Sequence, residues 1–316
     1  MARRITKIPD EMPEQFRGWA EALGGFLTWK RAQGISDQTY EDYNKHVRLF
    51  FKRFPDAWTS VKELKASLFK HLAEEEIMPA TFNNRLVYLR TFLSWCVKEG
   101  YLSENPVANI KKRKDEGRVV NIDAEILQRL IELPDQKTFT GLRDYALILL
   151  TLDTGIRPKE SFGLLPVDFN SKAYEIYVVA KVAKTRVSRT LPISEFTTQA
   201  IKRLLAVRPE EWGPDVPIFC TWEGGPMNRF TWGDRIEMYS KKLGVHIRPY
   251  DLRHAFAIEY LRGGASAFAL QRTLGHADMK MTQRYVALLD DDLKADHTKA
   301  SPLNRLIVQK KRITKL

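Results

Sequence analysis

The stretch Lys111-Lys112-Arg113-Lys114-Asp115-Glu116-Gly117-Arg118 divides this chain. It is charged, carries a glycine and offers no apolar face, so residues 111–120 read as a flexible basic linker between domains. Upstream, Phe16, Trp19, Ala20, Leu23, Phe26 and Leu27, then Tyr40, Tyr43, Val47, Phe50 and Phe51, recur at helical spacing. Gly34-Ile35-Ser36 interrupts the run, and Ser36 or Asp37 is placed to cap the second helix. A third segment runs from Val61 to Glu74. Pro79-Ala80-Thr81 opens a fourth, carrying Leu86, Leu89, Phe92, Leu93, Trp95 and Val97. Gly100 ends it and Asn105-Pro106 closes the element. Residues 1–110 thus predict a bundle of four or five helices.

Downstream the pattern is mixed. Helical spacing covers Ala124–Glu132, Leu142–Leu152, Pro158–Leu164, Ser194–Val207, Asn228–Leu243, Asp251–Leu261 and Ser266–Leu274, with another helix through Tyr285. Strand signal is confined to Tyr174–Val179 and Arg189–Ile193, separated by a basic turn. Residues 121–300 therefore predict a mixed α/β domain, mainly helical, with a small antiparallel sheet. The fold class expected for the chain is mainly α: a helical bundle, then this domain. Residues 301–316 form a tail whose apolar stripe, Leu303, Leu306 and Ile307, needs a partner surface, either on its own domain or on a neighbouring protomer.

Length and composition bound the function. The 316 residues have room for two domains with their own cores, and 44% hydrophobic with 28% charged content is that of a soluble globular protein. No apolar run approaches the roughly 20 residues that span a bilayer. No apolar segment of a secretory signal follows Met1-Ala2-Arg3-Arg4, so a cytoplasmic protein is expected. Cys96 and Cys220 are too few for a disulfide framework or a zinc site, and read as buried apolar residues. The net charge of +12 favours a polyanionic partner. Residues 1–118 hold 21 Lys and Arg against 16 Asp and Glu, and the remainder holds 30 against 23, so both halves are basic. Two domains that both touch phosphates produce such a split; a basic tail on a neutral enzyme does not.

Five segments carry candidate chemistry, and each has an ordinary reading beside the functional one. Thr154-Gly155-Ile156-Arg157 follows an apolar helix, where a capping glycine and a solvent arginine are commonplace. Yet Pro158 suits the first turn of the next helix, which aims Arg157 rigidly, and Glu160 on the same face can orient its guanidinium. Arg253 stands near the start of a helix that Asp251 can cap, with Leu252, Phe256 and Tyr260 as its buried stripe. That puts Arg253 beside the core, although an exposed arginine is the commoner case. Lys184 sits in a turn rich in Lys181, Arg186 and Arg189, which is either a solvated basic loop or a probe for a DNA groove. His276 behind Leu274-Gly275 is a helix-end histidine or a phosphate donor, and Tyr285 is a core tyrosine or a nucleophile.

The order and spacing of Arg157 with Glu160, Lys184, Arg253, Leu274-Gly275-His276 and Tyr285 resemble the tyrosine recombinase, or phage integrase, family. The resemblance spans nearly the whole chain. Gly34-Ile35-Ser36, Asn84-Arg85-Leu86 and Gly100-Tyr101-Leu102-Ser103-Glu104-Asn105-Pro106 look like that family's SAM-like core-binding domain. One position departs: where the family usually has a histidine three residues before the second arginine, this chain has Tyr250. His254, adjacent to Arg253, points about 100° away on a helix and is no simple substitute.

The resemblance implies a site-specific DNA recombinase that cleaves and rejoins duplex DNA through a 3′-phosphotyrosyl bond. Arg157 and Arg253 would hold the non-bridging oxygens, His276 would donate to them, Lys184 would protonate the departing 5′ oxygen and Tyr285 would attack. Tyr250 is expected to position the phosphate through its hydroxyl, since a phenol is a poor base at neutral pH. No cofactor and no metal are expected, because the phosphotyrosyl ester keeps the energy of the broken bond. The chain begins close to its first core-binding helix, which favours a simple site of two inverted half-sites bound by a homotetramer on two paired duplexes. Two other functions share the residues: a type IB topoisomerase-like relaxing enzyme, and a DNA-binding protein that has lost strand transfer, with Tyr250 as the mark of that loss.

Overall fold

The computed structural model describes residues 18–115, 120–180, 187–287, 297–298 and 301–306. The chain divides into two compact units, residues 1–117 and 118–316. Among the described residues the first contains four helices: α1 (Trp19–Ala32), α2 (Asp37–Arg53), α3 (Val61–Leu72) and α4 (Pro79–Lys98), with a 3₁₀ turn at Pro55–Trp58. Their starts follow from local chemistry. The Ser36 hydroxyl accepts the Thr39 N–H and caps α2, Ser60 does the same for α3, and Pro79 supplies the fixed φ of the first turn of α4. The core is aromatic. Phe26 meets Tyr43, Phe92 and Trp95 edge-on, and Trp19 stacks on Phe51 at 4.7 Å.

The chain beyond α4 is tied back to that helix. Asn105 donates to the Arg90 carbonyl and to Ser94, and accepts the Val107 N–H. Asn83 exchanges two hydrogen bonds with the backbone of Arg113, whose guanidinium lies 4.1 Å from the Phe82 ring centre. The part of the expected linker that includes Arg113 is therefore anchored rather than free, because an amide side chain and an aromatic face on α4 both have partners to offer it.

The second unit is helical around a small sheet. Helix α5 (Ala124–Glu132) precedes α6 (Phe139–Thr154) and the single turn α7 (Pro158–Ser161). Strands β1 (Phe169–Asn170), β2 (Glu175–Val178) and β3 (Arg189–Pro192) form an antiparallel sheet in sequential order, with Ile176 opposite Leu191 and Val178 opposite Arg189. The short β1 escapes sequence reading, since two residues show no period. Then come α8 (Glu195–Ala206), α9 (Arg229–Leu243), α10 (Pro249–Arg262), α11 (Ala267–Leu274) and α12 (Lys280–Val286), with one further turn at Leu303–Leu306. Helix α6 packs on α8 and α10 and buries Ala146, Leu147, Ile148 and Leu150 completely. A second, smaller cluster unites Phe256, Ala257, Ile258, Leu270, Leu274 and Tyr285 from α10, α11 and α12. Both cysteines are buried and free.

Helix α10 starts two residues earlier than the spacing predicts. Asp251 lies in its first turn rather than ahead of it, and its carboxylate accepts the Arg248 N–H at 2.9 Å. The capping expected of Asp251 is thus performed from the third helical position.

Candidate active site

The end of α6 determines where the site can form. Gly155 closes the helix in the left-handed conformation at φ 61°, and a Cβ there would lie 2.4 Å from Phe256 and 2.6 Å from Leu274. Only glycine meets both demands, so α10 and the end of α11 approach the turn closely. The Gly155 carbonyl accepts from Arg253 Nη1, and the Leu274 carbonyl accepts from Arg253 Nη2 at 2.9 Å. Arg253 is fully buried. The surface alternative for this arginine is excluded: its guanidinium joins two helix ends.

Arg157 is held in the same way. Its Nη1 donates to Glu160 at 2.9 Å, its backbone N–H to the other oxygen of that carboxylate, and its Nη2 to the Gly275 carbonyl at 3.3 Å. Glu160 is 1% exposed and also accepts from Arg189 Nη2 at 2.6 Å. Burial disfavours its charge, but hydrogen bonds and attraction from Arg189 and Arg157 outweigh that and hold its carboxyl below the usual range. Three arginines thus converge with one carboxylate among them, and Arg253 has no carboxylate partner among the described residues. Two buried donors, Arg253 Nε and Arg189 Nη1, have no hydrogen-bond partner among the described residues.

His276 follows Gly275, which caps α11 at φ 63°. Its Nε2 lies 3.1 Å from Arg253 Nη2 and its Nδ1 2.9 Å from the Thr282 hydroxyl. Burial and the charges of Arg253, Arg157 and Arg189 push its pKa down to about 4. Tyr285 on α12 is 4% exposed and its ring lies parallel to that of His276 at 6.5 Å. Its hydroxyl is 2.9 Å from His254 Nδ1. Burial raises the phenol pKa and the charge of Arg253 opposes that rise.

Tyr250 stands apart from this network. It lies in the first turn of α10, 43% exposed, with its ring 5.4 Å from that of His254 and 5.9 Å from the Arg253 guanidinium carbon. Lys184, with Lys181 and Arg186, lies outside the described residues.

Three residues carry more of the site than their spacing indicated. Arg189, grouped with a basic hairpin, is not a solvated loop residue: its side chain is 11% exposed and bonded to Glu160. The signal was present, since Arg189 shares the period-two face of the buried Leu191. Thr282 lies three residues before Tyr285 on the same face of α12 and is fully buried. His254, set aside because it points away from Arg253, is the group that touches the Tyr285 hydroxyl. No helix period reports that contact, because α12 brings it.

Among the described residues no group of three or more His, Cys, Asp or Glu is placed to hold a metal ion, and no helix is long and apolar enough to cross a membrane.

Solved structures share this architecture. The Tn1549 transposon integrase in complex with transposon right end DNA superposes with a TM-score of 0.68 at 19% identity, covering 84% of this chain and 94% of that one. A lambda integrase dimer bound to a COC′ core site gives 0.67 at 18% identity, over 84% of this chain and 76% of that one. The fold is that of the DNA integrases. Residues 121–291 match the model of the phage integrase family. The tyrosine recombinase XerC of Haemophilus influenzae is 32% identical over 69% of this chain and 74% of its own length, and that of Pelobacter propionicus is 28% identical over 86% and 92%. The chain belongs to the phage integrase family and is a tyrosine-type site-specific DNA recombinase.

Proposed function

We propose that the recombinase cuts and rejoins duplex DNA at the cluster of Arg157, Arg253, His276 and Tyr285, with Tyr285 forming a 3′-phosphotyrosyl bond. The observation that carries this reading is the charge balance of the site. Arg157 and Arg253 are buried and the Arg189 side chain is 11% exposed, and Glu160 is the one carboxylate paired with any of the three among the described residues. Buried cations without matching anions are costly, and a phosphodiester supplies the missing charge. The fork geometry of the two guanidiniums suits two non-bridging oxygens, whose charge grows as phosphorus becomes five-coordinate.

Tyr285 Oη attacks phosphorus, the bond to the 5′ oxygen breaks, and Lys184 gives that oxygen its proton. A 5′-hydroxyl from a second strand then reverses the step on Tyr285. Glu160 is a positioning residue: it locks Arg157 and Arg189 without facing the substrate. Tyr250, exposed beside Arg253, offers its hydroxyl to the same phosphate. The XerC relatives and the DNA-bound integrases of like fold support duplex DNA as the partner. Residues 1–110 form the core-binding domain and residues 121–300 the catalytic domain, joined by the 111–120 segment. The working assembly is a homotetramer on two paired sites, each of two inverted half-sites. The tail supports that assembly, since Leu303 and Leu306 are 58% and 75% exposed and ready for a neighbouring protomer.

A nicked suicide duplex followed by denaturing electrophoresis tests the reading. Tyr285→Phe removes only the nucleophilic oxygen, so covalent complex disappears while duplex binding stays near wild type. A normal yield of covalent complex from that variant overturns it.

A further inference from the structure

We infer that His254 is the base that takes the proton of Tyr285 during attack, a part left unfilled by Tyr250. The inference rests on the proposed role of Tyr285 as nucleophile. It begins from a contact: His254 Nδ1 lies 2.9 Å from Tyr285 Oη, within reach of direct proton transfer. The other side chains around the phenol are poorly suited to the task. Arginines 157, 253 and 284 are donors without a lone pair to offer. The lone pair of His276 Nε2 faces Arg253 Nη2, and its Nδ1 is engaged by Thr282. Tyr250 is a phenol like the nucleophile and gains nothing as an acceptor from it.

The helix explains how His254 reaches this place. Positions 250 and 254 are one turn apart and share a face of α10, so a histidine at either addresses the same side of the helix. Helix α12 packs on α10 and brings Tyr285 to the second of these positions. His254 is half-buried, with the Tyr250 ring edge-on at 5.4 Å holding the imidazole from the preceding turn.

The charged and titratable groups facing His254 are Asp251, Arg253 and Tyr250 on its own helix, Arg284 and Tyr285 on α12, and His276 beyond α11. Burial lowers its pKa, Asp251 opposes this, and Arg253 and Arg284 add to it. The net direction keeps the ring neutral at physiological pH, with a free lone pair on Nδ1 when Nε2 bears the hydrogen. In the forward step the Oη–phosphorus bond forms, the phosphorus–5′ oxygen bond breaks, and the phenolic proton passes to Nδ1. In the reverse step it returns to Oη.

Single-turnover formation of covalent complex on the nicked duplex, followed from about pH 5 to 9, tests this. The wild-type rate is expected to rise with pH through the ionisation of His254 and then level off. His254→Asn keeps a hydrogen-bond acceptor near the Nδ1 position but cannot take a proton. It is expected to lower the plateau by about 10²- to 10⁴-fold, to lose the histidine limb, and to leave duplex binding unchanged. Replacing the 5′-bridging oxygen by sulfur, which removes the need for a leaving-group proton, should not restore this variant. A rate within about twofold of wild type, an unchanged acid limb, or restoration by the sulfur substrate overturns the inference. Should His254→Asn fail to bind the duplex, His254→Ala with added imidazole decides: restored cleavage supports the base, and none on bound DNA removes it. A covalent complex formed by Tyr285→Phe, by contrast, overturns the assignment of the nucleophile itself.

Discussion

At the scale of the residue, His276 is defined by what its neighbours can and cannot do. An arginine only donates, so the 3.1 Å contact with Arg253 Nη2 makes His276 Nε2 an acceptor and places the ring proton on Nδ1, where the Thr282 hydroxyl accepts it at 2.9 Å. Burial first, and then the three arginines, keep the ring neutral. In the proposed reaction a phosphodiester enters between them and offsets their charge, so His276 would gain basicity as the substrate arrives. Thr282→Val keeps the shape of the buried side chain and deletes the acceptor. The freed imidazole is expected to turn, with cleavage about 10- to 100-fold slower, as for loss of a group that orients a catalytic histidine. Gel-shift affinity for the duplex should stay as it is. Cleavage kinetics at the wild-type rate would show that Thr282 merely fills space.

The elements are held to one another by backbone carbonyls at their ends. Helices α6 and α11 both finish in left-handed glycines, Gly155 and Gly275, and the carbonyls at these ends accept from Arg253 and Arg157. A helix end has unsatisfied carbonyls, and here two of the arginines proposed to bind the phosphate satisfy them. Gly155→Ala is therefore expected to act twice. The strained φ and the collision with Phe256 and Leu274 should cost about 1–3 kcal/mol of stability, read as a lowered denaturant midpoint. The forced separation of α10 from the α6 end displaces Arg253, so covalent complex should fall much further than stability alone explains. A variant with the expected loss of stability but full cleavage would separate the turn from the site.

Across the whole molecule, two buried histidines make stability depend on acidity. His71 on α3 is pushed down to about 4, by burial first and then by Arg85 and Arg53, while Glu74 opposes. His276 in the other unit is pushed to a similar value. Both titrate near 6.5 when unfolded. A depressed folded pKa means the unfolded chain binds the proton first. The stability these groups supply is present above about pH 6.5 and is lost as the pH falls toward about 4. Melting temperatures measured through that window should drop. His71→Leu, which keeps an apolar ring-sized group among Phe50 and Phe54, should lessen the drop. An identical slope in that variant would remove His71 from the acid sensitivity and leave it to His276 and the carboxylates.

Read alone, the chain determined the helical bundle, the mainly helical second half and most of the cluster. Helix periods and caps are local, because each apolar stripe and each Ser or Gly acts within a few residues of itself. Arg157, Glu160, Arg253, His276 and Tyr285 stood out through order and spacing. What tertiary structure alone decided is which side chains meet across elements. The strand period puts Arg189 on the face of Leu191, but only the tertiary fold sets it on Glu160, 29 residues earlier in the chain. His254 and Tyr285 are 31 residues apart, and no period on either helix records that α12 folds the hydroxyl onto the imidazole. Local pattern specifies the face a side chain takes on its own element. The partner that face receives depends on the packing of a second element, and that is settled by burial of the core they share.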